Sequence, residues 1–426
     1  MKKLSTLSAI LLAVVQANAS AVLEQVIVRQ QWPWSTDIKV EYKISGIEPG
    51  SPVNIGVTAY NGDVPLDSSR LATAIRGELY GISSDGVGTF TIDPQTAFGT
   101  ERVALANFKV KLTLSASHGA DEVIYKIFDL TAASGTFPCT DVTRADIMNN
   151  LYGTWETNYA NVVSGAATPI DDCLIWTGVT NYPGAKTTKL VMRKVSAKGE
   201  TWQMGQTGGV FSGSTNAEQV HDVTLTKNYF IGVYPVTQEQ YRKLTRGAWS
   251  GSGHQGEAYP VESATYAVFQ SVVTNGIATN LGVPVNYPTE AQWEFACRAG
   301  TTSELYTGQP LNTANLSPIA WHSGNSGNNT CEVGLKLPNA FGLYDMLGNV
   351  YEACRDAYKD SSVAVGYKDG AAETDPEEDG PASGEKYVMR GGSFALNNYM
   401  ATSAGRNGGT GNWTAYGFRI SFEIDE

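Results

Sequence analysis

The sequence predicts two domains of different class: an all-β sandwich of immunoglobulin-like type over residues 22–130, then an α+β domain over 189–426. Three observations carry this. Apolar and polar side chains alternate with period two through the first region. Short capped helices punctuate glycine-rich loops through the last, and 131–188 shows neither pattern. At 426 residues the chain is long enough to bury a core in each domain.

Residues 1–21 read as a signal peptide: Lys2 and Lys3, an apolar run over 7–15, then the small residues Ala17, Ala19 and Ala21. The run is too short to span a bilayer, and no later stretch is longer. The expectation is an exported protein, periplasmic, cell-surface or secreted, with no membrane span. A formal charge of −12 argues against nucleic acid as a partner, because that needs a cationic footprint. Five cysteines in an exported chain leave at least one unpaired. Cys139 with Cys173 and Cys331 with Cys354 are the candidate pairs, and Cys297 reads as a small buried hydrophobe. None stands in CxxC spacing, and the four histidines, His118, His221, His254 and His322, are too scattered for metal ligation.

Within 22–130, the sets Ile38/Val40/Tyr42/Ile44, Val53/Ile55/Val57/Ala59, Phe108/Val110/Leu112/Leu114 and Val123/Tyr125/Ile127 each turn one face inward. Turn signals such as Asn61-Gly62-Asp63 and Ser84-Asp85-Gly86 separate them, with no amphipathic helix between. Residues 131–188 form a connector, whose end over 186–195 reads as the strand entering the second domain. There, Thr237 with Gln240 and Thr289 with Gln292 form capping boxes. Ser263 is the expected cap of the helix between them, with Tyr266, Phe269 and Val273 inward. The helix after Thr289 places Trp293, Ala296 and Cys297 on one face and stops near Gly300. The acidic stretch 373–385 is expected to be a solvated loop.

Six ordered motifs over about 220 residues resemble the sulfatase-modifying-factor family of formylglycine-generating enzymes. They are WQMG at 202–205, YFIGVYPVT at 229–237, PTEAQWEFACRAG at 288–300, NAFGLYDMLGNVYE at 339–352, RGGSF at 390–394 and GFRI at 417–420. The resemblance implies a C-type-lectin-like α+β domain. It also implies a calcium site with side-chain ligands from Asp345 and Glu352 and backbone carbonyls from Gly348 and Val350. Read without the family, two carboxylates bracketing a Gly-Asn turn suit a hard cation, or a turn in which Glu352 bonds backbone amides. Arg390 and Arg419 are expected to fork onto buried carboxylates such as Glu294 or Asp345.

The family converts a sulfatase cysteine to formylglycine with copper(I) held by two cysteines after RGGS. Here those positions are Leu396 and Ala401, and Cys354 is the last cysteine. Tyr351 and Ala353 replace the family's paired tryptophans, while Ser393 and Arg406 match. Copper is therefore not expected, since a soft metal needs sulfur. Iron, used by the related sulfoxide synthases through an HxxxH-type pair, is not expected either. The resulting expectation is a non-catalytic binding scaffold with a saccharide or protein ligand. Its groove lies within 395–415, a segment rich in Asn, Gly and Thr that holds Tyr399 and Trp413 and is followed by Tyr416. Ser393, Leu396, Asn397, Asn398, Tyr399, Arg406, Trp413 and Tyr416 are its candidate residues. The alternatives are an enzyme with an unrecognised centre, drawing on Ser393, Tyr399, Arg406 and Asp356, and a structural cell-surface protein.

Overall fold

A computed structural model describes residues 21–30, 36–49, 51–66, 70–71, 74–99, 107–116, 122–148, 181–206, 220–247, 251–263, 265–358, 371–377, 385–396, 400–409 and 414–425. Two units emerge, one of 1–124 with 142–157 and one of 125–141 with 158–426. The expected signal peptide and Cys173 lie outside the described residues. No helix among those described is long and apolar enough to cross a membrane.

In the first unit the period-two alternation folds as two antiparallel sheets. One orders its strands β1 (Val22–Gln30), β2 (Ile38–Ser45), β6 (Gly86–Ile92) and β5 (Ile75–Gly77). The other pairs β3 (Val53–Asn61) with β4 (Val64–Pro65) and β7 (Phe108–Ala116). Ile38, Val40, Tyr42 and Ile44 all point into a core shared with Ile55, Phe90, Ile92, Phe108 and Leu112. Gly62 turns the β3–β4 hairpin at φ +65°, which a Cβ would resist. One short helix, Pro94–Phe98, does interrupt the strands, with Asp93 accepting from the Gln95 N–H as its cap.

The fourth predicted strand of this region belongs elsewhere. β8 (Val123–Asp129) pairs with β10 (Lys189–Val195) of the second unit, and the connector contributes β9 (Cys139–Thr143) to the same sheet. The sheet is completed by β13 (Asn228–Gly232) and β19 (Ser421–Ile424), in the order β19-β13-β10-β8-β9. Of the expected inward set Val123/Tyr125/Ile127 only Tyr125 is buried, with Ile124 and Phe128 buried instead, and alternation does not say which strand lies alongside, so the sequence could not assign β8 to its partner.

Both capping boxes form as expected, on the helices Gln238–Thr245 and Glu290–Arg298. Thr265, not Ser263, caps the helix Tyr266–Ser271; Ser263 instead sits at φ +68° with its hydroxyl on the Glu262 carboxylate. The acidic stretch is also more than a solvated loop. Glu373–Thr374 (β15) pairs in parallel with β12 (His221–Thr224), and the Asp375 carboxylate accepts the Thr226 N–H at 2.7 Å. Cys331 and Cys354 are free thiols, which corrects their expected pairing: Cys354 is buried in a strand interior and Cys331 lies half-exposed in a loop.

Candidate functional site

A four-stranded sheet, β17 (Arg406–Gly409), β16 (Tyr387–Arg390), β14 (Tyr351–Ala357) and β18 (Tyr416–Gly417), positions the site. Its register sets Glu352 opposite Arg390 and Arg390 opposite Arg406. Cross-strand neighbours point to one face, so these three form a row, and the row meets the helix Glu290–Arg298. Arg390 donates to Glu290 Oε1 at 2.6 Å and to Glu294 Oε2 at 2.8 Å. Arg406 grips both oxygens of Glu290, at 2.8 and 2.6 Å. Arg298 bonds Glu294 Oε1 at 2.8 Å, and the Glu290 N–H donates to Asp356 Oδ2 at 2.7 Å. Burial alone would push the Glu294 carboxyl up, but Arg298 and Arg390 outweigh it and hold it below the ordinary range. Three arginines thus face three carboxylates in a dry lattice, where each charge depends on its partner.

Arg419 makes the second fork, and onto Glu352 rather than Asp345, at 2.6 and 2.7 Å. The indole N–H of Trp293 adds a third donor to the same carboxylate at 2.7 Å. The chain leaves β16 through Gly391, at φ +87°, where a Cβ would stand 2.7 Å from the Met346 carbonyl.

Beyond that turn, residues 393–396 lie against the loop 321–331, which the sequence reading did not single out. Asn349 fastens the two together. Its N–H donates to the Trp321 carbonyl at 2.9 Å, and its own carbonyl accepts from the Phe394 N–H at 2.8 Å. Its side chain closes a two-bond clasp on the Cys331 N–H and carbonyl, each at 3.0 Å. The backbone at Asn349 is left-handed, φ +62°, a conformation asparagine tolerates better than most residues. A Gly-Asn pair inside an apolar run was the available signal, and it was read only as part of a metal turn.

The expected groove residues divide sharply. Leu396 is half-buried beside exposed Ala395. Ser393 is buried, and its hydroxyl has no hydrogen-bond partner among the described residues. Arg406 is committed to Glu290, and Tyr416 is a core residue packed at a tilt against Phe269 and Tyr387, so neither side chain is open to a groove. Asn397, Asn398, Tyr399 and Trp413 lie outside the described residues. Asp356 is likewise locked into the lattice, away from any role as a free acid.

The donor sets test the two metals. For copper(I), Leu396 and Ala401 offer no sulfur, and burial raises the thiols of Cys297, to about 12, and of Cys354, Cys331 and Cys139. With no sulfur at either position, the residues do not fit the family's copper centre. For calcium the fit is partial. Asp345 is fully buried, with Oδ2 accepting the Gly334 N–H at 2.7 Å and Oδ1 without a hydrogen-bond partner among the described residues, so one hard oxygen is on offer. Burial raises its pKa to about 6, against the pull of Gly334 and Arg419. Glu352, however, already satisfies Arg419 and Trp293, and a cation there would have to share its oxygens with a guanidinium.

A family model described as a sulfatase-modifying factor enzyme 1-like domain matches residues 183–424, more than half of the chain. The chain belongs to that family. The formylglycine-generating enzyme of Thermomonospora curvata is 32% identical over 117 residues, covering 25% of this chain and 37% of the enzyme. The serine/threonine-protein kinase pkn1 of Chlamydia pneumoniae is 31% identical over 247 residues, covering 51% of this chain and 37% of the kinase. The chain therefore spans little more than a third of either relative. Among solved structures, Treponema denticola variable protein 1 is 25% identical and covers 55% of this chain and 96% of its own, with a TM-score of 0.46. The sulfatase-modifying-factor domain is of mixed α/β class.

Proposed function

We propose that this protein is an exported, non-catalytic member of its family, using the segment 395–415 to bind a saccharide or protein ligand. The observation that carries the reading is the exchange of both copper-binding positions, with half-buried Leu396 and buried Ala401 in place of the thiolates. A second support is the base of the segment. The flanking strands β16 and β17 are held together on Glu290 by Arg390 and Arg406, so loop side chains are not needed to keep the strands paired. In this reading the first unit, an immunoglobulin-like sandwich, serves as a spacer or docking module. Calcium, where it binds, does so as a structural ion at Asp345 with the Gly348 and Val350 carbonyls, and with less help from Glu352 than the family pattern implies.

Titration calorimetry with neutral oligosaccharides and with unstructured peptides tests the proposal. Saturable binding of one class, weakened at least about tenfold by Leu396→Arg with an unchanged melting temperature, is the expected result. Absence of binding to both classes would remove the binding reading.

A further inference from the structure

We infer that a notch between the end of the helix Gln238–Thr245 and the segment 130–133 binds the phosphate group of a small phosphomonoester, of the size of a sugar phosphate. The inference does not depend on the binding reading for 395–415.

The notch has a volume of about 380 Å³, within the range of small-molecule sites, and it lies in the second unit alone. Residues 130–133, Arg242, Lys243, Arg246 and Gly247 line it, all of them described residues. Three are cations and none is an acid, in a chain whose formal charge is −12.

A helix C-terminus favours basic residues by itself, so Arg242 and Lys243 alone decide nothing. Arg246 adds the deciding observation. It closes the helix in the left-handed region, at φ +51°, where glycine is unstrained and arginine is not. Its guanidinium donates to the carbonyls of Ala132 at 3.3 Å, of Ala133, and of Gly135 at 2.5 Å, and lies 4.9 Å over the Phe137 ring. Those bonds draw the 130–135 segment onto the helix end and so build the notch. They are bonds to dipoles: among the described residues no carboxylate pairs with Arg246.

The acids nearby do not cancel the cluster. Arg242 forks onto Glu239, with Nε at 2.6 Å, and Lys243 stands 3.3 Å from the same carboxylate. Glu257 adds only a weaker pull on Arg242, and Asp129, beside Thr131, is paired with Lys189 at 2.5 Å. Three cations against Glu239 leave a surplus of two. Among the described residues Arg242 Nη1 has no partner, so a donor remains open. Like charges three and four residues apart repel, and an anion seated among them relieves that repulsion. A phosphomonoester carries about −1.5 to −2 at pH 7 and matches the surplus. A carboxylate matches half of it, and a neutral sugar none.

Titration calorimetry of the full chain with glucose 6-phosphate, glucuronate, inorganic phosphate and glucose tests the inference. The expected result is saturable binding of glucose 6-phosphate, at least about tenfold tighter than either other anion, with none for glucose. It should slow amide exchange in 130–135 and 242–247. Arg242→Gln and Lys243→Gln should each weaken it about tenfold without moving the melting temperature, because pairs near the surface add little stability. Glu239→Gln should tighten it by freeing both cations, an effect that loss of fold cannot produce. Binding that ignores all three substitutions, or that protects other segments, would overturn the site. Glucuronate or inorganic phosphate bound as tightly as glucose 6-phosphate would overturn the phosphomonoester assignment, and no binding of any probe would overturn the inference whole.

Discussion

The two units use opposite means to fix their folds. In the first, no charged side chain among the described residues is buried, the core runs from Val40 and Phe90 to Phe108 and Leu112, and charged pairs, such as Lys39 with Glu41, stand at the surface. In the second, charges enter the interior: Glu290, Glu294, Arg390 and Arg419 are all fully buried. Apolar packing tolerates exchange of one side chain for another of similar volume, whereas a buried ion pair specifies its partner and its geometry. The difference explains how the second unit keeps a defined shape with so little regular structure.

The largest test of that contrast is Glu290→Ala, which strands Arg390 and Arg406 without a shared carboxylate. It should destabilise the second unit by about 3–5 kcal/mol, read as a denaturant midpoint shift. A loss below about 1 kcal/mol would show that the lattice contributes no more than a surface pair.

Next in size is the buried, half-satisfied Asp345. Its folded pKa, about 6, lies above the ordinary 3.8, so the folded state binds this proton more tightly than the unfolded one. Its contribution is therefore fully present below about pH 4 and is lost as pH rises through 6. Stability of the parent relative to Asp345→Asn should fall over that window by something on the order of 2–3 kcal/mol. Added calcium that binds Oδ1 would favour the ionised form and reverse the slope, which makes the same measurement a test of the structural ion.

The smallest effects belong to the first unit. Ile92→Val should cost about 0.5–1.5 kcal/mol through one lost buried methyl group. Glu41→Gln, at the sheet surface, should leave the melting temperature where it was. A large effect at Glu41 would erase the distinction between the units.

The local features of this fold were legible in the sequence. Two capping boxes, the inward sets of β2 and β7, and the stripe of Trp293, Ala296 and Cys297 all stand where spacing placed them. Each depends on residues within a few positions of one another. What was missed is long-range. Arg406 reaches Glu290 across 116 residues, and nothing in either segment names the other. β8 carries the alternation of its neighbours in sequence but pairs with β10, and Asn349 joins three segments that are far apart in the chain. Two of the expected groove residues illustrate a related point: Arg406 and Tyr416 have the composition of a binding surface, but their side chains are consumed by the lattice and the core. Composition identifies what a residue can do and leaves open which way it faces.

The central claim is that this chain keeps the family's fold without its chemistry, and turnover tests it most directly. The full-length protein, loaded with copper(I), would be incubated with a cysteine-containing sulfatase peptide and the peptide followed by mass spectrometry. The account predicts that the cysteine survives unchanged, with a copper-loaded formylglycine-generating enzyme converting the same peptide alongside. Appearance of the aldehyde with this protein would contradict it, and would mean that a redox centre forms without the two thiolates.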